Sequence, residues 1–279
     1  MKRHLKFIPA IFLTIGLISG CTQANQPDQH AGHEQPKQEE QHGGHDSTNT
    51  SQVQVVWNLS KQSPESKKDE EISIQVQDNT GKPIEEFEIS HEKKMHLIVV
   101  NKDLSFFNHI HPEYAEKGVF KITTQFPAGG DYKLIADFIP KGAEAKTESQ
   151  WIKVAGDTPS PKPLEPEKNL TKTVEGKEVT LSFDNLQAGK EVAMTFTIKD
   201  AATKEPITNL QPYLGAIGHV VILSADAEKY IHNHPLEERA TGPDAKFETS
   251  FPTGGIYKIW GQFQHENKLF VVPFVVQVP

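Results

Sequence analysis

Apolar and polar positions alternate with a period of two along most of the chain beyond residue 52. Val53-Gln54-Val55-Val56-Trp57, Ile72-Ser73-Ile74-Gln75-Val76 and Val179-Thr180-Leu181-Ser182-Phe183 carry β-branched and aromatic residues at alternate positions, the pattern of half-buried strands. Tyr132-Lys133-Leu134-Ile135-Ala136 and Tyr257-Lys258-Ile259-Trp260-Gly261 read the same way, and the apolar run Leu269 to Val278 should close a final sheet. Turn residues punctuate these runs at Asp78-Asn79-Thr80-Gly81, Ala128-Gly129-Gly130 and Thr253-Gly254-Gly255, where glycine and Asx chemistry favours reversal. No long stretch carries a 3.6-residue period. About seven short strands per 100 residues predict an all-β fold, an antiparallel β-sandwich of immunoglobulin-like or cupredoxin-like type.

The pattern occurs twice. His96, His109, His111 and Pro112 map onto His219, His232, His234 and Pro235 with one offset of 123, which also carries Ile84 onto Ile207 and Asp103 onto Asp226. Two residues of adjustment later, Phe126-Pro127-Ala128-Gly129-Gly130 reappears as Phe251-Pro252-Thr253-Gly254-Gly255, with Tyr132 on Tyr257 and Phe138 on Phe263. A period this long exceeds the 20–50 residues of solenoid repeats and fits duplication of a whole domain. The expected organisation is a first sandwich over 53–156, a linker over 157–172 and a second sandwich over 173–279. Pro159, Pro161, Pro163 and Pro166 make that linker an extended, semi-stiff spacer that restricts the relative orientation of the two units without fixing it. The Phe-Pro-x-Gly-Gly-x-Tyr segments read as structural, with glycine allowing tight backbone geometry and tyrosine packing with a polar tip.

The amino-terminal region changes the picture of where the chain works. Residues 1–20 combine basic Lys2, Arg3 and Lys6 with an apolar run from Phe7 to Ile18, the layout of a secretory signal and short for a transmembrane helix. Leu17-Ile18-Ser19-Gly20-Cys21 is similar to a bacterial lipobox, which implies cleavage before Cys21 and lipidation there. The expected location is therefore the extracytoplasmic face of the cell membrane, held by a lipid anchor. Cys21 is the chain's single cysteine, so a blue-copper centre, which needs a thiolate beside two histidines, is excluded. Residues 21–52 are rich in Gln, Glu, His and Gly and lack the apolar surface to offset ordering, so a disordered tether is expected. Within it His30, His33, His42 and His45 are candidates for weak, unselective metal binding. The formal net charge of −8 argues against nucleic acid as a partner and favours cations near the surface.

The histidine sets carry the candidate chemistry. In a strand, His96 shares a face with Ile98 and Val100, and His109 and His111 share a face two residues apart. Pro112 cannot donate to a ladder and ends the pairing, so the His-x-His should lie at a strand end or loop mouth. Three neutral imidazoles suit Cu(II), Zn(II) or Ni(II), which makes His96, His109 and His111 in the first unit, and His219, His232 and His234 in the second, candidate metal ligands, one site per domain, with Cu(II) or Zn(II) the expected ion. Met95 points to the opposite face by alternation. Glu113 and Asp137 are candidates for a fourth position, and Gln262 replaces Asp137 in the second unit. His91 and His265 have no counterpart and read as ordinary polar residues.

The segments Met95 to Val100, Asp103 to Pro112 and Phe126 to Tyr132 resemble YtkA-like and FixH-like bacterial secreted domains and the periplasmic copper-handling group around them. The resemblance covers nearly all of the first unit and, more weakly, the second. It implies a β-sandwich and a role in copper homeostasis, with His96, His109 and His111 as the residues carried over. Three functions then compete. One is a lipid-anchored metal-binding protein that buffers Cu(II) or Zn(II) or delivers it to a membrane transporter or other envelope protein. The second is a cell-envelope protein-interaction module with structural histidines. The third, a metal-dependent hydrolase, is disfavoured, because no His-Glu-x-x-His, nucleophile elbow or P-loop is present; no enzymatic activity is expected.

Overall fold

A computed structural model describes residues 53–233 and 235–279. The predicted leader, Cys21, and the tether histidines His30, His33, His42 and His45 lie outside the described residues, as does His234. The first unit contains β1 (Val53–Leu59), β2 (Asp69–Asp78), β3 (Met95–Asn101), β4 (Phe107–Ile110), β5 (Glu113–Tyr114), β6 (Val119–Gln125), β7 (Gly130–Phe138) and β8 (Lys146–Val154). They form two four-stranded sheets ordered β1-β2-β6-β5 and β4-β3-β7-β8, with every strand pair antiparallel. This order is that of an immunoglobulin-type sandwich with one added edge strand. Ile72, Ile74 and Val76 of one sheet meet Leu97, Val99, Leu134 and Ala136 of the other in a buried core with Phe120, Phe126 and Phe138. The alternating residues of β2 dictate this directly, since its odd-numbered neighbours Ser73 and Gln75 stay partly in solvent.

The second unit repeats the plan with β9 (Thr171–Val174), β10 (Lys177–Phe183), β11 (Glu191–Asp200), β12 (His219–Ser224), β13 (Tyr230–Asn233), β14 (Asp244–Ser250), β15 (Gly255–His265) and β16 (Lys268–Val278). Its sheets are ordered β14-β11-β10-β9 and β13-β12-β15-β16. It departs from the first at the edges. The segment corresponding to β5 is reduced to a single bridge, Pro235 to Phe247, while β9 extends the opposite edge. The Phe-Pro-x-Gly-Gly-x-Tyr segments turn out to be tyrosine corners. The Tyr132 hydroxyl donates to the Ala128 carbonyl at 2.9 Å, and the Tyr257 hydroxyl to the Thr253 carbonyl at 2.9 Å, the bond that ties this strand start to its preceding loop in immunoglobulin-type domains. The second glycine of each motif takes a left-handed φ, 132° at Gly130 and 146° at Gly255, where a side chain would be strained.

The two sandwiches share one seam within a compact unit, Ser47–Pro279. Ile98, Val100, Leu104 and Ile135 of the first are buried with Val221, Leu223, Ala227 and Trp260 of the second, with Phe107 and Tyr230 packed against them. Phe107 stacks on Trp260 with centroids 4.6 Å apart and planes 15° from parallel. The linker belongs to this arrangement. Leu164 packs on the seam, the Lys162 amide donates to Asp103 Oδ2 at 2.8 Å, and the Glu167 amide donates to the Val275 carbonyl at 2.9 Å. Three linker residues thus contact the sandwiches themselves. Beyond His96 and His219 the outward faces of β3 and β12 are apolar, and burying them holds the sandwiches together at roughly 25 cal/mol per Å² of apolar surface removed from water.

Candidate metal centre

Register places the histidines at one end of this seam. On β3, His96, Ile98 and Val100 face the second sandwich while Leu97 and Val99 enter the core of the first. Across the ladders, His96 pairs with Asp137, Ile98 with Ile135 and His109, and Val100 with Lys133 and Phe107. On β12 and its neighbours, His219 pairs with Gln262, Val221 with Trp260 and His232, and Leu223 with Lys258 and Tyr230. Paired residues share a sheet face, so each seam face carries imidazole at one end, aliphatic and aromatic groups in the middle and lysine at the other.

His96, His109 and His111 come together as the sequence predicted, each offering a ligand atom within 4.8 Å of the others. Their ring centroids are 5.1 Å apart for His96 and His109, 5.1 Å for His96 and His111, and 4.8 Å for His109 and His111. His96 and His109 are buried and joined in a hydrogen-bonded chain. His96 Nε2 lies 2.9 Å from the Ser90 carbonyl, His96 Nδ1 lies 2.9 Å from His109 Nε2, and His109 Nδ1 lies 3.0 Å from Gln262 Nε2. Neutral rings satisfy this chain in one direction. His96 Nε2–H donates to Ser90, His109 Nε2–H donates to His96 Nδ1, and the Gln262 amide donates to His109 Nδ1. His111 sits just past β4, and its Nε2 is buried without a hydrogen-bond partner among the described residues. Burial pushes His111 down to about 4, with charge repulsion from His96 and then Lys93 acting in the same direction, so this imidazole is neutral and able to ligate at ordinary pH.

The second unit contributes directly to the same cluster. The His219 ring, fully buried, stands 6.2 Å from that of His96 and 6.1 Å from that of His109. His91, which sequence reasoning set aside for want of a counterpart, packs its ring 4.6 Å from His219 and 6.4 Å from His96. It occupies a tight reversal in which Ser90 and Lys93 exchange backbone hydrogen bonds and His91 and Glu92 take φ of 46° and 64°. The missed signal was its place five residues before His96, in the turn whose Ser90 carbonyl holds that ring. His265 instead bonds the Asn209 side chain at 3.0 Å in an exposed position, an ordinary polar role. His232 lies on β13 opposite Val221, its side chain outside what the structure describes, and His234 lies outside it altogether. Of the carboxylates weighed for a fourth position, Asp137 accepts from the Tyr230 hydroxyl at 3.2 Å across the seam, and Glu113 lines an open cleft of about 350 Å³ with His111, Glu71 and Lys121.

The donor set fits a borderline metal. Metal–nitrogen bonds of about 2.0–2.1 Å at tetrahedral angles put ligating nitrogens roughly 3.3 Å apart and ring centroids roughly 5 Å apart. The His96–His109 nitrogen pair would therefore separate by only a few tenths of an ångström to admit an ion.

Comparison with known proteins places the chain in a family. The family described as "Domain of unknown function (DUF8832)" matches residues 48–156 and again 172–279; the chain belongs to it and carries two copies of its domain. No match was found among functionally described proteins. Among solved structures, the chain is similar to the Escherichia coli adhesin FdeC at 15% identity over 83% of this chain and 65% of that one, with a TM-score of 0.29. It is similar to the Yersinia pseudotuberculosis adhesin InvE at 9% identity over 80% and 58%, with a TM-score of 0.27. A two-domain fibronectin type III segment of chicken tenascin matches at 12% identity over 80% and 97%, with a TM-score of 0.23. The chain spans less than two thirds of the length of the first structures it matches.

Proposed function

We propose that this protein binds a transition metal ion, Cu(II) or Zn(II), at the end of the seam through His96, His109 and His111, and that it buffers or delivers that ion at the outer face of the cell membrane, held there by a lipid on Cys21. One observation carries the reading: three imidazoles converge within 4.8 Å, one of them with a buried nitrogen that has no hydrogen-bond partner among the described residues. An imidazole nitrogen in that position loses hydration without compensation, and a cation supplies the missing partner. The sequence resemblance to copper-handling secreted domains supports the same reading. The ion would add Lewis acidity and charge; the chain's own contribution is orientation, since Ser90 and Gln262 fix the rings of His96 and His109 through their outer nitrogens. The test is metal titration of the full chain and of a His109→Ala, His111→Ala variant. Tight binding that the double variant loses supports the reading, and unchanged binding overturns it.

A second reading, a cell-envelope interaction module with structural histidines, is favoured by the hydrogen bonds that already give His96 and His109 protein partners. Under it the full chain retains no metal after dialysis, and a partner is captured equally well with a chelator present.

A further inference from the structure

We infer that the centre is a single site shared by the two sandwiches, with His219 of the second completing the ligand set begun by His96, His109 and His111 of the first; this rests on the metal reading above. The duplicated sequence suggests one site per domain. The fold instead brings equivalent ends of β3 and β12 together, so that His96 and His219, equivalent residues of the two copies, face one another with rings 6.2 Å apart and 28° from parallel. His219 is as near to His109, at 6.1 Å, as it is to His96. Both separations lie within about an ångström of the spacing that four tetrahedral imidazoles adopt.

Backbone and packing hold His219 in this place. Its ladder partner is Gln262, the residue that also bonds His109, so one strand of the second sandwich positions both a ligand and the support of a ligand from the first. Gly218 precedes it, and a Cβ there would stand 2.8 Å from the Gln262 carbonyl and collide with the Phe263 ring; the absence of a side chain lets β12 enter the ladder at His219. Tyr213 and His91 pack edge-on against the His219 ring at 5.6 Å and 4.6 Å and close it from solvent. A site with four protein ligands and no open position belongs to the structural or storage class, in contrast to catalytic sites that keep a position for water. It also makes the ion a clamp. Binding at the seam stabilises the docked pair of sandwiches over any opened form by the full linkage free energy.

The experiment uses the full chain carrying His30→Ala, His33→Ala, His42→Ala and His45→Ala, so that tether histidines do not contribute, with Zn(II) as the probe in competition with a chromophoric chelator. The expected result is one tight equivalent per chain, lost in His109→Ala and weakened at least tenfold in both His219→Ala and His219→Gln. Zinc affinity unchanged in both His219 variants while His109→Ala abolishes binding would overturn the shared site and leave the metal reading standing. Zinc affinity unchanged in His109→Ala as well would overturn both. X-ray absorption on the zinc-loaded parent chain, which needs no variant to fold, gives four imidazoles if the site is shared as inferred; a count of three overturns it.

Discussion

Lys258 repeats across the seam the bond that Lys133 makes from the other side. The Lys133 ammonium donates to the Ala227 carbonyl at 2.8 Å, and the Lys258 ammonium donates to the Leu104 carbonyl at 2.7 Å. The two lysines are equivalent in the repeat, and so are the two acceptors. Each copy therefore presents the same patch to the other, as in an isologous two-fold dimer, here with both halves on one chain. Lys133 is almost fully buried and also meets Glu228 at 3.0 Å, while burial holds Lys258 below the ordinary lysine range. Replacement of either ammonium by Met removes a charged donor from a buried carbonyl. Each of Lys133→Met and Lys258→Met is expected to cost about 1–3 kcal/mol, measured by denaturant titration, with Lys133→Met the larger because its surroundings are drier.

Trp260 fills the middle of the seam, where it is 3% exposed and stacked on Phe107. Truncating a buried Trp to Ala typically costs about 3–5 kcal/mol, and here the loss falls on the contact between the sandwiches, since Trp260 packs outside the core of its own domain. The parent chain should unfold in one calorimetric transition, because neither half keeps its apolar seam face covered alone. Trp260→Ala should split that transition into two as the sandwiches uncouple. A single, uniformly lowered transition would show that they remain one cooperative unit.

Much of this was legible before any coordinates. Alternation at Ile72, Ile74 and Val76 gave the sandwich, and the offset joining His96 to His219 gave the duplication. His96, His109 and His111 were grouped by a spacing that recurs at His219, His232 and His234. The seam was legible only in part. Leu97 to Val100 and Val220 to Leu223 are apolar on both faces, a pattern that marks a strand covered on both sides, yet it does not say by what. A constant offset carries the information that two copies share a fold, but it is silent on how one packs against the other. The opposed positions of His96 and His219, and the reach of Gln262 to His109 over a sequence separation of 153, follow from that packing. His91 escaped notice because the second copy keeps its turn, with Tyr213 and Ala216 exchanging backbone hydrogen bonds, but has Leu214 where the first has His91.

His111 makes acid a destabilising condition. Its folded value is near 4, against about 6.5 in an unfolded chain. Between those values the unfolded state binds the extra proton, so stability falls as pH drops below about 6.5 and this contribution levels off near 4. Histidine resonances followed by NMR should show His111 remaining neutral through pH 5. A His111→Gln variant, which cannot titrate, should show a shallower loss of stability across the same interval. An equally steep loss would assign the acid sensitivity to other groups.

Gln262 sets the tautomer of His109 and thereby its readiness to ligate. With the amide nitrogen facing His109 Nδ1, the ring proton resides on Nε2, the atom aimed at His96. Ligation through Nε2 requires that proton to move to Nδ1, and the Gln262 amide must turn over so that its oxygen accepts. Both orientations are open to a glutamine, whereas a carboxylate accepts only. Gln262→Glu should therefore bias His109 toward the Nδ1–H form and raise its basicity as a ligand, as carboxylate–histidine–metal arrangements do. Zinc affinity is expected to rise by up to about tenfold in Gln262→Glu and to fall by about 10–100-fold in Gln262→Leu, which leaves Nδ1 without a partner in the dry seam. Without metal, the effect of Gln262→Glu on stability should run opposite to its effect on zinc affinity. Gln262→Glu places a carboxylate against a neutral imidazole and should lower the unfolding midpoint of the metal-free protein, with zinc restoring it. Competition titration and thermal unfolding with and without zinc measure both, and affinity unchanged in both variants would remove Gln262 from any role in ligation.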